Sequence, residues 1–278
     1  MLNIVMANKQ NVSIVPVRNV SQSTNTLLGT YPRTRPELTP AHQAVYVEEY
    51  RSNRLGRHGL SRVVAGLERW MHQAILSDRC GERLLELGAG TLNHIPFEPN
   101  VAEYDVIEPF HQLWEDSPGR DRVGHFYDDV TEVPEYQRYD RILSVAVLEH
   151  LVDLPLVVAR CGLLLAEDGR FEAGFPSEGG FLWGAAWRCT TGISYRFRTG
   201  LDYATVIRHE HINTAFEIVA VLQHFFEVVR LERFPLSSRH LSFYSAAHAS
   251  RPRRYRCLEF CDTRQACVER RPHVVLKH

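Results

Sequence analysis

The sequence predicts an α/β fold with a doubly wound, mostly parallel seven-stranded sheet, an antiparallel last strand and an N-terminal helical cap. Three observations predict it. Short apolar runs alternate with helical patterns, one of these runs ends at a glycine-spaced turn, and the last two runs are joined by only five residues. Strand, helix and strand in repetition are typical of a parallel sheet covered on both faces.

Five short apolar runs rich in branched residues are the candidates for the parallel strands, because strands buried on both faces are apolar throughout. They are Arg83–Leu87, Tyr104–Ile107, Gly124–Tyr127, Arg141–Ala146 and Gly169–Phe175. The clearest helix lies between the last two runs, from Leu154 to Ala166, with Asp153 as its N-cap and Pro155 in its first turn.

The C-terminal part of the predicted sheet changes direction. Thr214 and Glu217 form a capping box that begins an apolar helix ending near Phe225. Two further strands follow, Phe226–Phe234 and His240–Ala246. Because five residues cannot hold a crossover helix, this last pair is predicted to be antiparallel.

Composition and periodicity divide the chain into regions. The first region is rich in Asn, Ser, Thr and Gln, which favours a loosely ordered arm over an edge strand at 11–20. Apolar residues then recur at three- and four-residue steps, indicating two helices with a break near Gly56–Gly59. We assign residues 1–36 to the arm, 37–79 to the helical cap, 80–249 to a Rossmann-like domain with a substrate-side insertion at 176–213, and 250–278 to an Arg-rich tail.

Overall composition argues against several classes of protein. The net charge of −1 gives no bulk attraction to nucleic acid. No apolar run is long enough for stable membrane insertion, and the N-terminus lacks the basic leader and apolar core of a signal peptide. The six cysteines lack the short spacings of a disulfide framework. We therefore expect a cytoplasmic protein, and we leave its oligomeric state open.

The stretch from Arg83 to Asn93, RLLELGAGTLN, carries the first sign of function. A predicted strand containing Glu86 ends at the turn Gly88-Ala89-Gly90, where bare backbone can approach a ligand. The next predicted strand ends in Glu108, and an acidic side chain there suits a ribose diol. These two strand ends predict a nucleoside-binding crevice.

The residues after the turn separate two kinds of nucleoside site. A nicotinamide dinucleotide site needs a helix N-terminus aimed at the pyrophosphate. Pro96 and Pro99 follow the turn closely, so a long helix cannot begin there, and the third glycine of the dinucleotide pattern falls at Asn93. The sequence therefore favours a ligand without phosphate.

Four motifs in order resemble those of the class I S-adenosylmethionine-dependent methyltransferases. They are Glu86-Leu87-Gly88-Ala89-Gly90, then Glu108, then Asp129-Val130-Thr131-Glu132-Val133-Pro134, and then Tyr139–Ser144 with Val147–Leu151. The terminal antiparallel pair is similar to the end of that family's seven-stranded sheet. The chain departs from the usual pattern at Leu92, where glycine is common.

The resemblance is to the broad small-molecule branch of this family. It implies S-adenosylmethionine as cofactor and a small molecule as methyl acceptor, and it assigns roles to matching residues. Glu108 would accept from both ribose hydroxyls, Asp129 from the adenine amino group, and Glu86 would orient the turn or meet the methionine ammonium through water. The implied cofactor-binding residues are Glu86, Gly88, Ala89, Gly90, Glu108, Pro109, Asp129, Val130, Ser144 and Val145.

The insertion at 176–213 is the candidate for the substrate side. It combines aromatic and arginine residues, which suit a polar acceptor such as a saccharide or nucleotide-linked sugar. Two alternatives stay open: a lid whose aromatics pack on the sheet, and a contact with a membrane surface. The residues are Phe181, Trp183, Trp187, Arg188, Tyr195, Arg196, Phe197, Arg198, Tyr203 and Arg208.

Three histidines are the candidates for a general base. His209 and His211 flank Glu210, and His150 follows the fourth predicted strand. The resemblance makes His150 more typical of a structural residue. We predict no metal site, because alternate residues of an extended segment point to opposite sides and would leave His209 and His211 poor co-ligands. A non-catalytic nucleoside-binding module and, less favoured, a nicotinamide enzyme are the alternatives to a methyltransferase.

Overall fold

The computed structural model describes residues 13–14, 22–54, 62–77 and 82–269. In this part of the chain one sheet has eight strands, seven of which are the predicted ones. The eighth is a two-residue strand at one edge. The strands are β1 (Ser13–Ile14), β2 (Arg83–Leu87), β3 (Glu103–Ile107), β4 (Phe126–Tyr127), β5 (Tyr139–Val145), β6 (Leu165–Pro176), β7 (Phe226–Pro235) and β8 (Ser242–Pro252).

The strand order is β1-β7-β8-β6-β5-β2-β3-β4. The adjacent strands in the series β4, β3, β2, β5 and β6 are parallel. In the central strand β2, Leu85 is in register with Asp105 of β3 and with Ile142 of β5. Strand β8 is antiparallel to both of its neighbours, β6 and β7. The predicted fold class, including the antiparallel last strand, is confirmed.

The helices lie before, between and after the strands. Asp153 accepts a hydrogen bond from the backbone N–H of Leu156, and both bonds of the Thr214–Glu217 capping box are present, so both predicted helix starts are confirmed. The helices are α1 (Gln22–Leu28), α2 (Pro40–Arg54), α3 (Arg62–Ala74), α4 (Leu154–Leu164), α5 (Phe181–Trp187), α6 (Ile193–Thr199), α7 (Tyr203–Glu210), α8 (Ala215–Phe225) and α9 (Arg254–Glu269).

The two faces of the sheet are covered differently. Helices α4, α8 and α9 pack over one face, around fully buried residues such as Val158, Ile218 and Phe171. The other face is covered by α3 and by turns, around Ile75 and Leu84. Burial of apolar side chains on both faces drives the folding of this core.

A buried guanidinium lies at the second face. The Nε of Arg141 donates to Glu172 at 2.9 Å, and its Nη2 donates to Glu98 at 2.9 Å. Its Nη1 lies 3.4 Å from a carboxylate oxygen of Glu82. All four side chains are buried, and His94 adds a contact of 3.2 Å to Glu98. Because buried charges are tolerated only when paired, these groups depend on one another.

The first half of the sheet lacks the helices of an alternating pattern. Among the described residues, the connections between β2 and β5 hold only short 3-10 turns: Ile95–Phe97, His111–Leu113 and Arg120–Arg122. Pro96 stands inside the first of these turns, as expected from the prediction that no long helix begins after Gly90.

The N-terminal region is more ordered than the predicted loose arm where it is described. Strand β1 pairs antiparallel with β7 at 13–14, the edge-strand alternative. Leu28, the last residue of α1, and Tyr31, which follows it, are buried in the core. The Tyr31 hydroxyl donates to the Oδ1 of Asn213 at 2.8 Å. Composition missed this order because the contacts are with residues about two hundred positions away.

The expected Arg-rich tail is part of the domain up to residue 269. Strand β8 continues to Pro252, and α9 packs on α4. Cys257 is fully buried, and Phe260 and Cys261 pack against the same core at helical spacing. Cysteines form part of the apolar stripe of α9 and pack there as small hydrophobic residues. This made the helical periodicity of the stripe hard to recognise in the sequence. Residues 270–278 lie outside the described part.

Among the described residues, no helix is both long enough and apolar enough to cross a membrane.

Candidate active site

The glycine turn lies between the ends of two neighbouring strands. Gly88 and Gly90 adopt positive φ angles of 70° and 52°, which an L side chain rarely adopts. The backbone N–H of Gly88 donates to the carbonyl of Ile107 at 2.8 Å, and that of Gly90 donates to the Oε2 of Glu108 at 2.8 Å. The turn after β2 is therefore fixed to the end of β3.

The two glycines serve different purposes. A Cβ on Gly88 would lie 2.4 Å from a methyl group of Val147, so this glycine allows the segment after β5 to pack against the turn. A Cβ on Gly90 would meet open space as far as the described residues extend. Gly90 therefore faces the side from which a ligand can approach, and Ala89 between them is buried.

Glu108 is buried, and each of its carboxylate oxygens accepts a backbone hydrogen bond. Oε2 accepts from the backbone N–H of Gly90, and Oε1 accepts from the backbone N–H of Phe110 at 3.0 Å. Pro109, between Glu108 and Phe110, is exposed. A carboxylate has about four acceptor positions, so the predicted contact with a ribose diol is compatible with both bonds.

Glu86 is directed toward the second face of the sheet. Its Oε2 accepts a hydrogen bond of 2.6 Å from the Tyr104 hydroxyl, and its side chain is buried. Burial raises the pKa of Glu86 from 4.5 to about 7. The structure thus gives this residue a supporting contact under the turn, whereas its contact with a methionine ammonium stays a prediction.

The remaining predicted cofactor residues lie at the ends of β4 and β5. The exposed Asp129 accepts from the backbone and hydroxyl of Thr131 at 2.9 and 2.6 Å, while Val130 is buried in the core. Ser144 is fully buried, and its hydroxyl has no hydrogen-bond partner among the described residues. Val145 is half-buried beside it. Ser144 therefore keeps an unused hydrogen-bonding group at the carboxyl end of β5.

A second cluster lies just beyond the end of β5. His150 closes the 3-10 turn Leu148–His150, and His211 immediately follows α7. Their rings meet edge to face with centroids 5.0 Å apart. The structure therefore brings together two of the three histidines predicted as catalytic candidates.

Acidic groups orient both rings. The Nδ1 of His150 lies 2.8 Å from the carbonyl oxygen of Glu210 and 3.3 Å from its carboxylate. Although burial alone would lower the pKa of His150, these contacts raise it. The Nδ1 of His211 lies 3.0 Å from the Oε2 of Glu178, and the ring of Trp183 stacks on His211 at 6.1 Å.

Glu149 completes the cluster. Its side chain is 2% exposed, burial raises its pKa, and its Oε2 has no hydrogen-bond partner among the described residues. Sequence analysis placed Glu149 in a motif but gave it no role. The sequence signal that could have pointed to Glu149 was its position next to the candidate base His150.

His209 lies apart from this cluster. Its Nδ1 contacts the carbonyl of Pro36 at 2.7 Å, and its ring meets Tyr46 edge to face. The expectation of an extended segment here was wrong, because α7 runs to Glu210. Positions two apart on a helix end still point in different directions, so His209 and His211 diverge.

Apart from the two-residue edge strand β1, the strand order and the one antiparallel strand, β8, are those of the class I methyltransferase sheet. The chain has the class I methyltransferase fold.

Solved methyltransferases are similar to this chain at low sequence identity. An S-adenosylmethionine-dependent methyltransferase from Thermotoga maritima is 15% identical, with 68% of this chain and 96% of that chain covered and a TM-score of 0.46. An N-methyltransferase from Bradyrhizobium japonicum has the same identity and coverages with a TM-score of 0.45. Phosphoethanolamine N-methyltransferase 2 from Haemonchus contortus, in complex with S-adenosylmethionine, is 11% identical over 68% of this chain and 53% of that chain, with a TM-score of 0.47.

Sequence comparison adds no further assignment. No protein-family model matches the chain, and no curated protein matches it.

The N-terminal segment holds the histidine cluster in place, which sequence analysis did not foresee. Arg35 donates to the carbonyls of His150 at 2.7 Å and His209 at 3.1 Å. Asn213 donates to the carbonyls of Leu148 and Leu151 at 2.9 and 2.8 Å. These contacts join segments far apart in sequence, so no local pattern announces them.

A groove opens beside His211. It has a volume of about 590 Å³ and combines arginine, threonine and proline residues. The lining residues are Thr30, Pro32, Arg33, Thr34, Pro36, Arg208, His211 and Ile212. A cavity of this size accommodates a small molecule.

The aromatic residues of the insertion divide into two groups. Tyr195 is buried against Tyr203, as expected for a lid that packs, and Trp183 contacts His211. Phe181 and Phe197 are exposed by 72% and 89%. The insertion therefore both packs on the domain and presents apolar side chains to its surroundings.

Proposed function

We propose that this protein is an S-adenosylmethionine-dependent methyltransferase that acts on a small-molecule acceptor, with a saccharide or nucleotide-linked sugar as the acceptor class. The observation that carries the proposal is the bond between Gly90 and Glu108 at a turn with no helix behind it. The crevice has an acidic group for a diol, and among the described residues no α-helix begins at the turn to offer its N-terminus to a phosphate.

The cofactor assignment follows from the chemistry of this crevice. S-adenosylmethionine presents a ribose diol, which an ionised carboxylate binds through two strong hydrogen bonds. Its methionine arm carries no phosphate. The open side of Gly90 supports placing that arm between the ends of β2 and β5, as does the hydroxyl of Ser144, which has no hydrogen-bond partner among the described residues.

The histidine cluster is the candidate site for the acceptor. The acceptor oxygen attacks the methyl carbon in line, the carbon–sulfur electrons stay on sulfur, and the hydroxyl proton passes to an imidazole nitrogen of the cluster. Positioning supplies much of the rate enhancement of such a displacement. The Nε2 atoms of His150 and His211 are the groups we propose to meet the acceptor hydroxyl, because each ring uses Nδ1 elsewhere.

The groove supports a polar acceptor. Arg208 supplies charge, and Thr30 and Thr34 supply hydroxyl groups. Trp183, outside the groove lining, stacks on His211 and supplies an aromatic face beside it. Saccharides are bound by this combination of hydrogen-bonding groups and apolar ring faces.

Methyl transfer from labelled S-adenosylmethionine to a panel of saccharides, nucleotide-linked sugars and small amines tests the proposal. We expect turnover on hydroxyl acceptors, and a loss of at least about a hundredfold in His211→Asn. His111→Asn, which changes an exposed histidine paired with Asp128, is the matched control. Cofactor binding without turnover on any acceptor would support the non-catalytic nucleoside-binding module instead.

A further inference from the structure

We propose that Glu149, His150 and His211 bind a divalent transition-metal ion at the acceptor end of the crevice. Each residue offers one ligand atom, and the three atoms lie within 4.8 Å of one another. Two imidazole nitrogens and one carboxylate oxygen form a ligand set suited to zinc, manganese, iron or cobalt. This set joins a turn after β5 to the residue after α7, so sequence spacing alone does not reveal it.

The hydrogen bonds of both rings leave the same nitrogen available. A carbonyl oxygen only accepts, so the Nδ1 of His150 carries the proton that it shares with the carbonyl of Glu210. The Oε2 of Glu178 accepts from the indole N–H of Trp183 and lies 3.0 Å from the Nδ1 of His211. With Nδ1 protonated in both neutral rings, each Nε2 presents a lone pair. Carbonyl and carboxylate partners of this kind orient the histidine ligands of metal sites.

Glu149 provides an independent observation. Its carboxylate is buried, lies 3.8 Å from the Nε2 of His150 through Oε1, and has an Oε2 without a hydrogen-bond partner among the described residues. Burying such a group without a partner costs free energy. A cation bound between the carboxylate and the two rings removes that cost.

The charges around the cluster also favour a cation. Three carboxyl groups, those of Glu149, Glu178 and Glu210, surround the two rings. The described side chains that form ion pairs with these three acids include one that is always charged. It is Arg35, which lies 3.9 Å from Glu210. A divalent ion would balance the charge that these carboxyl groups carry when they are ionised.

The backbone already fixes the two ligand-bearing segments to each other. The carbonyl of Glu149 accepts from the backbone N–H groups of Ile212 and Asn213, at 2.9 and 3.0 Å. The ligands therefore sit on joined segments, and an ion has only to draw the side chains together. Rigid support of this kind is what a metal site requires.

The role of the ion rests on the proposed function, although its binding does not. An acceptor hydroxyl bound to the ion loses its proton to solvent more readily. Its oxygen then forms the bond to the methyl carbon while the carbon–sulfur bond breaks, and the demethylated cofactor leaves. Coordination to the ion would replace the hydrogen bonds that we propose between the hydroxyl of the methyl acceptor and the Nε2 atoms of the two imidazoles.

Cobalt binding to the full chain tests the site without any cofactor or acceptor. Protein stripped with a chelator is titrated with Co²⁺, and the ligand-field absorption and the bound metal are measured. We expect one ion per chain and absorption that Zn²⁺ abolishes. Glu149→Gln, which preserves shape, and His211→Asn should each weaken binding by at least tenfold, whereas His209→Asn, on the same segment, should not.

Two results overturn the proposal: no cobalt binding by the wild-type chain, or binding that survives both Glu149→Gln and His211→Asn. Because Glu149→Gln is nearly isosteric, it remains informative where His211→Asn fails to fold. Calorimetry with S-adenosylhomocysteine on the chelator-treated protein separates the two proposals. Cofactor binding without cobalt binding removes the metal site alone, and cobalt binding without cofactor binding removes the proposed function alone.

Discussion

The backbone N–H of Gly90 donates to the Oε2 of Glu108 at 2.8 Å, so the glycine turn after one strand is held by the acidic residue that ends the next. The same carboxylate also accepts from Phe110 through its other oxygen. Glu108 therefore shapes the turn in addition to its proposed contact with the ribose. This double role makes it the residue whose substitution is most informative.

Glu108→Gln should weaken the binding of S-adenosylhomocysteine by more than tenfold. The amide NH₂ cannot accept, so one backbone N–H, of Gly90 or Phe110, loses its partner and the diol loses a charged acceptor. Calorimetry of the two proteins measures the ratio. Glu115→Gln, an exposed carboxylate nearby, is the control, and an unchanged affinity in Glu108→Gln places the ligand elsewhere.

Alanine at the two glycines should have different effects. Both positions have positive φ, which costs an L residue about 1–2 kcal/mol. Gly88→Ala adds a clash with Val147, so its total loss should reach about 2–4 kcal/mol in urea unfolding. Gly90→Ala should lose only the unfolding free energy that the positive φ costs. It should also weaken cofactor binding.

The double mutant Gly88→Ala with Val147→Ala tests the clash directly. Removing the Val147 methyl groups relieves the contact at 2.4 Å, so the two substitutions together should cost less than the sum of the single ones. Strict additivity would show that the two residues are not in contact.

Glu86→Gln should alter how stability depends on pH. The pKa of Glu86, raised by burial from 4.5 to about 7, means that the folded protein holds a proton that the unfolded chain releases. The unfolding free energy contributed by Glu86 is therefore lost as pH rises from about 4.5 to about 7.

Gln cannot ionise and still accepts from Tyr104. The variant should match the wild type at pH 5 and exceed it by about 1–3 kcal/mol at pH 8, in urea unfolding without cofactor. A variant that is less stable than the wild type at pH 8 would show that the ionised carboxylate is favourable in the fold.

Arg141→Met should destabilise the protein by about 3–5 kcal/mol near neutral pH, because it leaves Glu82, Glu98 and Glu172 buried without their guanidinium. Although burial alone would raise it, hydrogen bonds from His94 and Arg141 lower the pKa of Glu98. The stability tied to this depressed pKa is lost as pH falls.

The destabilisation caused by Arg141→Met should therefore shrink in acid, where the carboxyl groups can protonate. Urea unfolding at pH 7 and pH 5 measures both values. Arg138→Met, at an exposed arginine, should change stability by less than about 0.5 kcal/mol. An Arg141→Met loss as small as this control would mean that the buried ion pairs contribute nothing.

Local signals in the sequence predicted the parts of the fold that depend on neighbouring residues. The apolar run Arg83–Leu87, the capping box at Thr214 and the short link before β8 each specify a local geometry. The structure has the strand, the capping box and an antiparallel β7–β8 pair, whose link is residues 236–241. Pro96 and Pro99 likewise predicted that no long helix follows the turn, and the described residues there form none.

The parts that were missed depend on contacts between distant residues. Arg35 reaches the carbonyl of His150, and Glu178 orients His211, across more than thirty positions in each case. Helix α9 escaped notice because its buried stripe includes Cys257 and Cys261, which composition alone does not mark as core. Such pairings follow from the assembled sheet rather than from any window of sequence.

Calorimetric titration of the wild-type chain with S-adenosylhomocysteine and, separately, with reduced nicotinamide dinucleotide tests the central claim most directly. The crevice between Gly90 and Glu108 should bind the first compound with one site per chain and a dissociation constant below about 1 mM, and should not bind the second. Binding of the dinucleotide, or no binding of S-adenosylhomocysteine at millimolar concentration, would contradict the account.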